Sequence, residues 1–291
     1  QKRENLTLAS RPSLSATMIE RFLDCPFIFC AEKLFRLNEF PDIDLDIDHL
    51  SKGRLIHKIF EVLLEDPIQY SYGDQELLDI IEGCRQAEKI VLVDKDLWRN
   101  EQQRYLKLAK LFLKFEQEWR LQFPETVTKG REVSIKAEWS LEKGDFVKSG
   151  DYTFSGKIDR VDVGREGEAV ILDYKSGASS SLPNWKSWLG KHKLQLAIYS
   201  YLLEQGFADI EVKEVVAACY YSVKDFNRFK GFMKEESQEL YELPKRSGAK
   251  ATQLEIEGLL DEVKGELKLA IEEIEKGALS PSPSDKRTCS N

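Results

Sequence analysis

The sequence predicts an α/β fold in which helices flank a central mixed β-sheet and an N-terminal helical region comes first. Across 96–122, apolar residues recur at steps of three and four, which is typical of an amphipathic helix. Across 133–141 they alternate with polar residues, as in a half-buried strand. Because the period changes between these segments, we divide the chain into a helical region at 1–125 and a sheet-containing core at 126–291, which ends in a helix and a short cysteine-bearing tail.

The other elements are predicted from capping residues and periodicity. Ser13-Leu14-Ser15 can cap a first helix, which Cys25-Pro26 interrupts before a second short helix. Ser51 can cap a helix that carries His57 and ends near residue 66. Further helices are predicted at 185–204 and 252–276, and further strands at 152–163, 169–175 and 212–222.

The composition is that of an ordinary globular protein, with 42% hydrophobic and 32% charged residues among 291. No apolar run reaches the roughly eighteen residues of a membrane span, and the N-terminus does not resemble a signal peptide, so we expect no membrane partner. The five cysteines are scattered and odd in number, which favours a reducing cytoplasm. Because the chain starts at Gln1 and stops soon after its last cysteine, we expect it to be a piece of a longer polypeptide.

The charge distribution gives a mixed indication about nucleic acids. A net charge of −8 counts against non-specific binding, which depends on neutralising phosphates. Two stretches are locally basic, however: 186–193 contains no acidic residue, and 224–234 contains only Asp225. The local distribution matters more than the sum, so the net charge does not exclude a DNA partner.

A hairpin in the middle of the chain carries the candidate chemistry. Two β-rich runs flank a turn at 164–168, and centring the turn on Glu166 would place Asp159 directly opposite Asp173. Two carboxylates about 5 Å apart repel each other unless a divalent cation lies between them. Lys175 lies two residues beyond Asp173 and therefore on the same face, where an ammonium can serve an attacking water or a phosphate. The alternative is a solvated hairpin with ordinary surface charges.

Four short motifs in order resemble the PD-(D/E)xK nucleases, specifically the branch of RecB-like and AddB-like exonuclease domains. They are Gly53–His57, Gly156–Arg160, Asp173–Lys175 and Gln195–Tyr199. No proline precedes the first aspartate, a position that this branch often varies. The resemblance implies a restriction-endonuclease-like core, and it suggests Glu138 as an acidic residue on the preceding strand.

The resemblance also implies a metal site. His57, Asp159 and Asp173 would be ligands of Mg2+ or Mn2+, and the carbonyl of Tyr174 would add another oxygen. Lys175 would serve the water that attacks the phosphodiester. Asp159, Asp173 and Lys175 are therefore the predicted catalytic residues. For His57 the alternative is an ordinary core or boundary histidine.

The helix after the hairpin would contribute contacts to DNA. The resemblance places Gln195 and Tyr199 at the rim of the active site, where they touch DNA or support the lysine, and His192 lies one turn earlier. Trp185 and Trp188 can stack on bases of a single strand, with buried packing as the alternative. An amphipathic helix packed on the sheet is the alternative for the whole segment.

Two cysteines raise a separate expectation. AddB-like members of this branch hold an iron–sulfur cluster with one cysteine in the N-terminal Cys-Pro segment and three near the C-terminus. Cys25 matches the first position, and Cys289 falls where the C-terminal group would begin. Because four thiolates are normally required, we expect a 4Fe-4S cluster in the full-length parent and not in this chain. Isolated buried thiols are the alternative.

The leading functional hypothesis is a metal-dependent DNA nuclease, most simply an exonuclease that acts on single strands or duplex ends. It would work with a helicase subunit or domain in a helicase–nuclease or recombination-repair machine. The alternative within the same fold is a catalytically silent module that binds DNA ends. A metal-free interaction domain is a third reading, in which the charges of the hairpin are incidental.

Overall fold

A computed structural model gives the fold of the protein. It describes residues 13–37, 47–65, 71–92, 94–237, 248–278 and 280–281. The strands are β1 (Val127–Ser140), β2 (Asp145–Val147), β3 (Tyr152–Val163), β4 (Glu168–Lys175), β5 (Glu214–Ser222), β6 (Asn227–Lys234) and β7 (Lys250–Ala251). The α-helices are α1 (Ala16–Asp24), α2 (Pro26–Phe29), α3 (His49–Leu63), α4 (Asp74–Ala87), α5 (Lys95–Gln122), α6 (Gln195–Glu204) and α7 (Gln253–Glu275).

All seven of these strands form one sheet, in the order β2-β1-β3-β4-β5-β6-β7. The pairs β4–β5 and β6–β7 are parallel, and the other neighbouring strands are antiparallel. The sheet is therefore mixed, as the sequence predicts. No helix in the described part of the chain is long and apolar enough to cross a membrane.

Helices cover both faces of the sheet, and each face has its own apolar core. The core on one face contains residues of α1, α6 and α7, and the core on the other contains residues of α3, α4 and α5. Alternation along β4 shows the division, because Ala169 and Ile171 belong to the first core whereas Val170 and Leu172 belong to the second. A strand buried on both faces reads as a continuous apolar run, which is how 169–172 appears in the sequence. The expected mixed sheet with flanking helices and a helical N-terminal region is confirmed.

Several predicted boundaries shift for identifiable reasons. The first helix is capped by Ser15, as expected, and the last begins one residue later than predicted because Thr252 is its cap. The cap of α3 is Asp48, whose carboxylate accepts a hydrogen bond from the Ser51 amide at 2.9 Å, so the prediction of Ser51 as the cap is wrong. Helix α4 was not predicted. The single helix expected at 185–204 is also wrong, because two 3-10 turns and a left-handed residue, His192 with φ of 49°, precede α6.

The strands β2, β6 and β7 were not predicted, and β6 buries some of the basic residues that the sequence suggested for DNA binding. It contains much of the basic stretch 224–234, but Arg228 and Lys234 are buried and pair with carboxylates inside the protein. Arg228 lies 2.7 Å from Glu116, and Lys234 lies 3.2 Å from Glu214. Part of the positive charge that the sequence suggests for DNA therefore stabilises the fold instead.

Candidate active site

The candidate site lies in a fork between β3 and β4. The two strands pair in the predicted register, with Val161 opposite Ile171, and the ladder ends just before Asp159 and Asp173. The two aspartates are therefore not themselves a ladder pair. Instead, the Asp159 carboxylate accepts a hydrogen bond from the Tyr174 amide at 2.7 Å. The strands separate where the acidic side chains begin, and this separation opens the fork.

A histidine from α3 closes one side of the fork. His57 lies with Nε2 3.2 Å from the Tyr174 carbonyl oxygen and Nδ1 3.5 Å from Oδ2 of Asp159. Burial lowers the pKa of His57, but its hydrogen bond with Asp159 and the charges of Asp159, Asp173 and Glu132 together outweigh burial, so the net pKa is raised. Two of the predicted metal-binding groups, from β3 and β4, thus lie within hydrogen-bond or ion-pair distance of a third, His57 of α3.

The other side of the fork is formed by Asp173, Lys175 and Gln195. Oδ2 of Asp173 lies 2.7 Å from Nζ of Lys175, and Oδ1 accepts a hydrogen bond from Nε2 of Gln195 at 3.0 Å. Burial raises the pKa of Asp173 to about 6; Lys175 opposes the rise, and the negative charge of Asp159 adds to it. The predicted catalytic residues Asp159, Asp173 and Lys175 are thus in one electrostatically coupled cluster.

Glu132 on β1 joins the cluster and was not predicted. One ligand atom each from His57, Glu132 and Asp159 can be chosen so that all lie within 4.8 Å of one another. Glu132 has a left-handed backbone, with φ of 49°, which is uncommon for a residue other than glycine within a strand. Burial raises the pKa of Glu132, and Asp159 adds to the rise. The acidic residue that β1 brings to this cluster is Glu132, whereas Glu138 pairs with Thr153 at 3.2 Å.

The pairing of β1 with β3 explains how Glu132 reaches the site. Arg131 pairs with Arg160 and Val133 pairs with Ile158, so Glu132 lies across from Asp159. Glu132 and Asp159 are thus the residues between these two pairs. The segment that joins β1 to β3 contains β2, and the length of this segment does not predict which residues of β1 and β3 face each other. One feature of the sequence could have suggested Glu132: it directly precedes the alternating apolar residues that begin at Val133.

Helix α6 packs against the start of β3 through a glycine. A Cβ atom at Gly156 would lie 2.5 Å from the hydroxyl oxygen of Tyr199, closer than real contacts allow. Tyr199 is buried, and burial raises its pKa to about 12. The glycine in Gly156–Arg160 therefore permits the close approach of α6 to the strand that carries Asp159. Tyr199 thus packs directly against the strand that carries Asp159, and both a contact with DNA and support of Lys175 stay predictions.

The remaining predicted DNA contacts lie before α6. His192 is half-buried, and its Nδ1 is buried without a hydrogen-bond partner among the described residues. Trp188 is fully buried and packs against Tyr220 and Phe232, and Trp185 is also buried. The packing alternative is therefore correct for both tryptophans. The role of His192 stays a prediction.

The predicted cluster cysteines are only partly placed by the structure. Cys25 is buried at the end of α1, where its backbone amide donates to Arg21. Cys289 lies outside the described residues. Cys30, Cys84 and Cys219 are free and buried, in keeping with structural thiols. The iron–sulfur cluster stays a prediction for a longer form of the protein.

The donor set fits a hard divalent cation. Carboxylates, a backbone carbonyl and an imidazole are available around the fork, from Asp159, Glu132, Tyr174 and His57. Oxygen donors of this kind suit Mg2+ or Mn2+, and Mn2+ also accepts imidazole. Burial raises the pKa of Glu132 and of Asp173, and the negative charge of Asp159 adds to both rises, so the cluster has an excess of negative charge that a cation would neutralise.

Comparison with known proteins agrees with this geometry. The profile of the PD-(D/E)XK nuclease superfamily matches residues 13–291. An uncharacterized protein of Rickettsia bellii (strain RML369-C) is 27% identical over 197 residues, which are 67% of this chain and 22% of that protein. The aligned part thus spans about a fifth of the relative's length. The fold, the clustered acidic residues with their lysine and the match across nearly the whole chain together show that this protein belongs to the PD-(D/E)XK nuclease superfamily.

Proposed function

We propose that the protein is a metal-dependent DNA nuclease of the RecB-like and AddB-like branch, and that it acts as an exonuclease. The observation that carries this proposal is the convergence of Asp159, Asp173, Lys175 and His57 in the fork between β3 and β4. These groups come from three separate elements of the fold. A chain whose acidic residues were incidental surface charges would not be expected to bring them together beside a partly exposed lysine.

Each residue has a role that follows from its position. Asp159, Asp173, Glu132, His57 and the Tyr174 carbonyl would hold one or two divalent cations. When bound, such a cation neutralises charge on the scissile phosphate and lowers the pKa of the attacking water.

Lys175 of β4 and Gln195 of α6 complete the proposed site. Gln195 fixes one oxygen of Asp173 and leaves the other directed at Lys175. The Lys175 side chain is 38% exposed, so its ammonium can reach a phosphate in solution as well as Asp173. It would orient the water and stabilise the negative charge that develops on the phosphate.

The setting in a larger machine is also a proposal. The Rickettsia bellii relative is several times longer than the aligned segment. A nuclease domain attached to, or bound by, a helicase would receive single-stranded DNA as the duplex is opened. We therefore propose DNA ends or single strands as substrate, with a helicase domain or subunit as partner.

The test compares three variants on end-labelled DNA. Purified wild type should release nucleotides from single-stranded or duplex DNA when Mg2+ or Mn2+ is present, and EDTA should abolish the release. Asp159→Asn and Lys175→Ala should each lose about 100-fold or more, because the first removes a metal-binding carboxylate and the second removes the ammonium that stabilises charge on the phosphate. Asp96→Asn is the control and should retain full activity, since its side chain is 84% exposed in a surface ion pair.

Two results would reject the proposal. Activity that survives Asp159→Asn or Lys175→Ala would show that hydrolysis occurs elsewhere. Wild type that binds DNA ends but releases no nucleotide with either metal would identify the silent end-binding module instead.

A further inference from the structure

Helix α6 carries Gln195 and Tyr199 but does not cap its own N-terminus. The residue at the cap position is Leu194, which has no side-chain hydrogen bond to offer. The first amides of an α-helix lack partners within the helix, and leaving them buried without acceptors costs stability. These amides therefore need an acceptor from another part of the chain.

Glu20 of α1 supplies this acceptor. Its Oε1 accepts hydrogen bonds from the amides of Leu194 at 2.7 Å and Gln195 at 2.9 Å. Its Oε2 lies 3.7 Å from Nζ of Lys193. Glu20 is 8% exposed, which is unusual for a glutamate unless its charge is partnered. A buried carboxylate from 174 residues earlier in the sequence thus fixes the start of α6.

Gln195 connects Glu20 to Asp173, because it forms a hydrogen bond with each of them. The backbone amide of Gln195 donates to Glu20, and its side-chain amide donates to Asp173 at 3.0 Å. Because Gln195 is the first residue of α6, a movement of the helix start would carry the side chain away from Asp173. Glu20, Gln195 and Asp173 therefore form a chain of two hydrogen bonds from α1 to the fork.

We propose that Glu20 is a positioning residue of the active site, which acts through Gln195 to orient the Asp173 carboxylate. The proposal deepens the proposed function and rests on it, because it assigns a task at the same metal site. Groups that orient a metal ligand affect metal affinity or activity about 10- to 100-fold although they do not touch the metal.

Glu204 is a matched control at the other end of the same helix. Its carboxylate accepts a hydrogen bond from the Val215 amide at 2.6 Å and lies 3.6 Å from Lys234. The chemistry resembles that of Glu20, since each glutamate joins a backbone amide and a lysine. Glu204 is nine residues from Gln195 along α6, and its contacts with Val215 and Lys234 lie away from the residues of the fork. Its removal therefore measures the general effect of loosening α6.

The experiment is a double-mutant cycle on the affinity for Mn2+, measured by calorimetric titration. Glu20→Ala and Gln195→Ala should each weaken binding about 10-fold, and the double variant should also lose about 10-fold, because both act through one hydrogen bond. An additive loss of about 100-fold, or an unchanged affinity in Glu20→Ala, would overturn the proposal. Glu204→Ala should lower the melting temperature and leave the affinity within about twofold. An equal loss of affinity in that control would also overturn it.

A conservative variant separates acceptor from charge. Glu20→Gln keeps an oxygen that can accept from both amides, so it should restore affinity to within about threefold of wild type. If Glu20→Gln folds and is as weak as Glu20→Ala, the charge itself is responsible and the positioning role is rejected. The same comparison applies if Glu20→Ala does not fold, because Glu20→Gln must then still bind Mn2+ with near wild-type affinity.

A readout that needs no metal distinguishes this proposal from the proposed function. The side-chain amide resonance of Gln195 can be assigned by its loss in Gln195→Ala. It should move in Glu20→Ala and stay in place in Glu204→Ala. Wild type without nuclease activity would reject the proposed function, whereas a resonance of Gln195 that does not respond to Glu20→Ala would reject the positioning role.

Discussion

Asp159 and Arg160 are neighbours on β3, but their side chains enter two very different charged clusters. Asp159 lies in the fork of the candidate site, among groups that are partly exposed. Arg160 is fully buried, where it pairs with Glu116 of helix α5. Since the two clusters share one strand, the comparison isolates the effect of how charges are partnered.

The buried cluster, which we call the arginine network, is formed by Glu116, Arg160, Asp162 and Arg228. Arg160 donates to Asp162 through two nitrogens, both at 2.8 Å, and to Glu116 at 2.8 Å. Arg228 donates to the other oxygen of Glu116 at 2.7 Å. Two cations thus match two carboxylates. Burial alone would raise the pKa of Glu116, but Arg160 and Arg228 lower it to about 2.

The candidate site shows the opposite balance. Asp173 is also buried, but Lys175 is its only close cation among the described ion pairs, and Asp159 adds negative charge nearby. Its pKa rises to about 6 where that of Glu116 falls. Burial acts in the same direction on both carboxylates, so the difference comes from the surrounding charges. The arginine network stabilises the fold by itself, whereas the fork is suited to bind a further cation.

The largest expected effect is on stability when the arginine network is broken. Arg160→Met leaves Glu116 and Asp162 buried without their main partner, and breaking a buried pair in this way costs about 3–5 kcal/mol. The free energy of unfolding should be measured by chemical denaturation. Arg99→Met is the control, because the Arg99–Asp96 pair is exposed, and it should change stability little. Similar losses of stability in both variants would show that the buried arginine network stabilises the fold no more than an exposed ion pair does.

Acid should weaken the arginine network next. The folded pKa of Glu116, about 2, lies below its ordinary value of 4.5, so its contribution is complete above about pH 4.5 and is lost as the pH falls towards 2. The difference between these values corresponds to about 3 kcal/mol. The stability of wild type relative to Glu116→Gln should therefore shrink by about this amount between pH 5 and 2. A constant difference would show that Glu116 is not held ionised by the arginines.

The smallest effect is expected at the fork in the absence of metal. Asp173→Asn removes a buried charge and its repulsion by Asp159, which offsets the lost pair with Lys175. In EDTA its free energy of unfolding should lie within about 1 kcal/mol of wild type. Addition of Mn2+ should then raise the melting temperature of wild type more than that of Asp173→Asn. A loss in EDTA as large as that of Arg160→Met would contradict the comparison.

Local patterns in the sequence gave much of the fold. The long helix α5, the cap of α1, and the register of β3 with β4 all follow from periodicity, capping residues and turn residues close together in the chain. These patterns predict structure because each depends on residues that are close together in the sequence. Strand β6 was missed because its lysines and arginine suggest an exposed segment.

Contacts between distant segments had to come from the structure. Glu132 reaches the fork only because β1 pairs with β3 in one register, and Glu20 reaches α6 across 174 positions of sequence. No local propensity encodes either contact. The broken helix before Gln195 is a similar case, since Glu20 rather than a local residue caps the start of α6.

The sequence by itself determined most of the helices, four of the seven strands that the structure describes, the hairpin and the candidates Asp159, Asp173 and Lys175. The resemblance of its motifs to the family added His57. The tertiary structure decided how these residues are partnered. It showed that the strands separate before the two aspartates meet, that Glu132 joins them, and that part of the basic stretch at 224–234 is buried in ion pairs. The physical reason is that an element's type depends on nearby residues, whereas burial, charge balance and pKa depend on groups that only folding brings together.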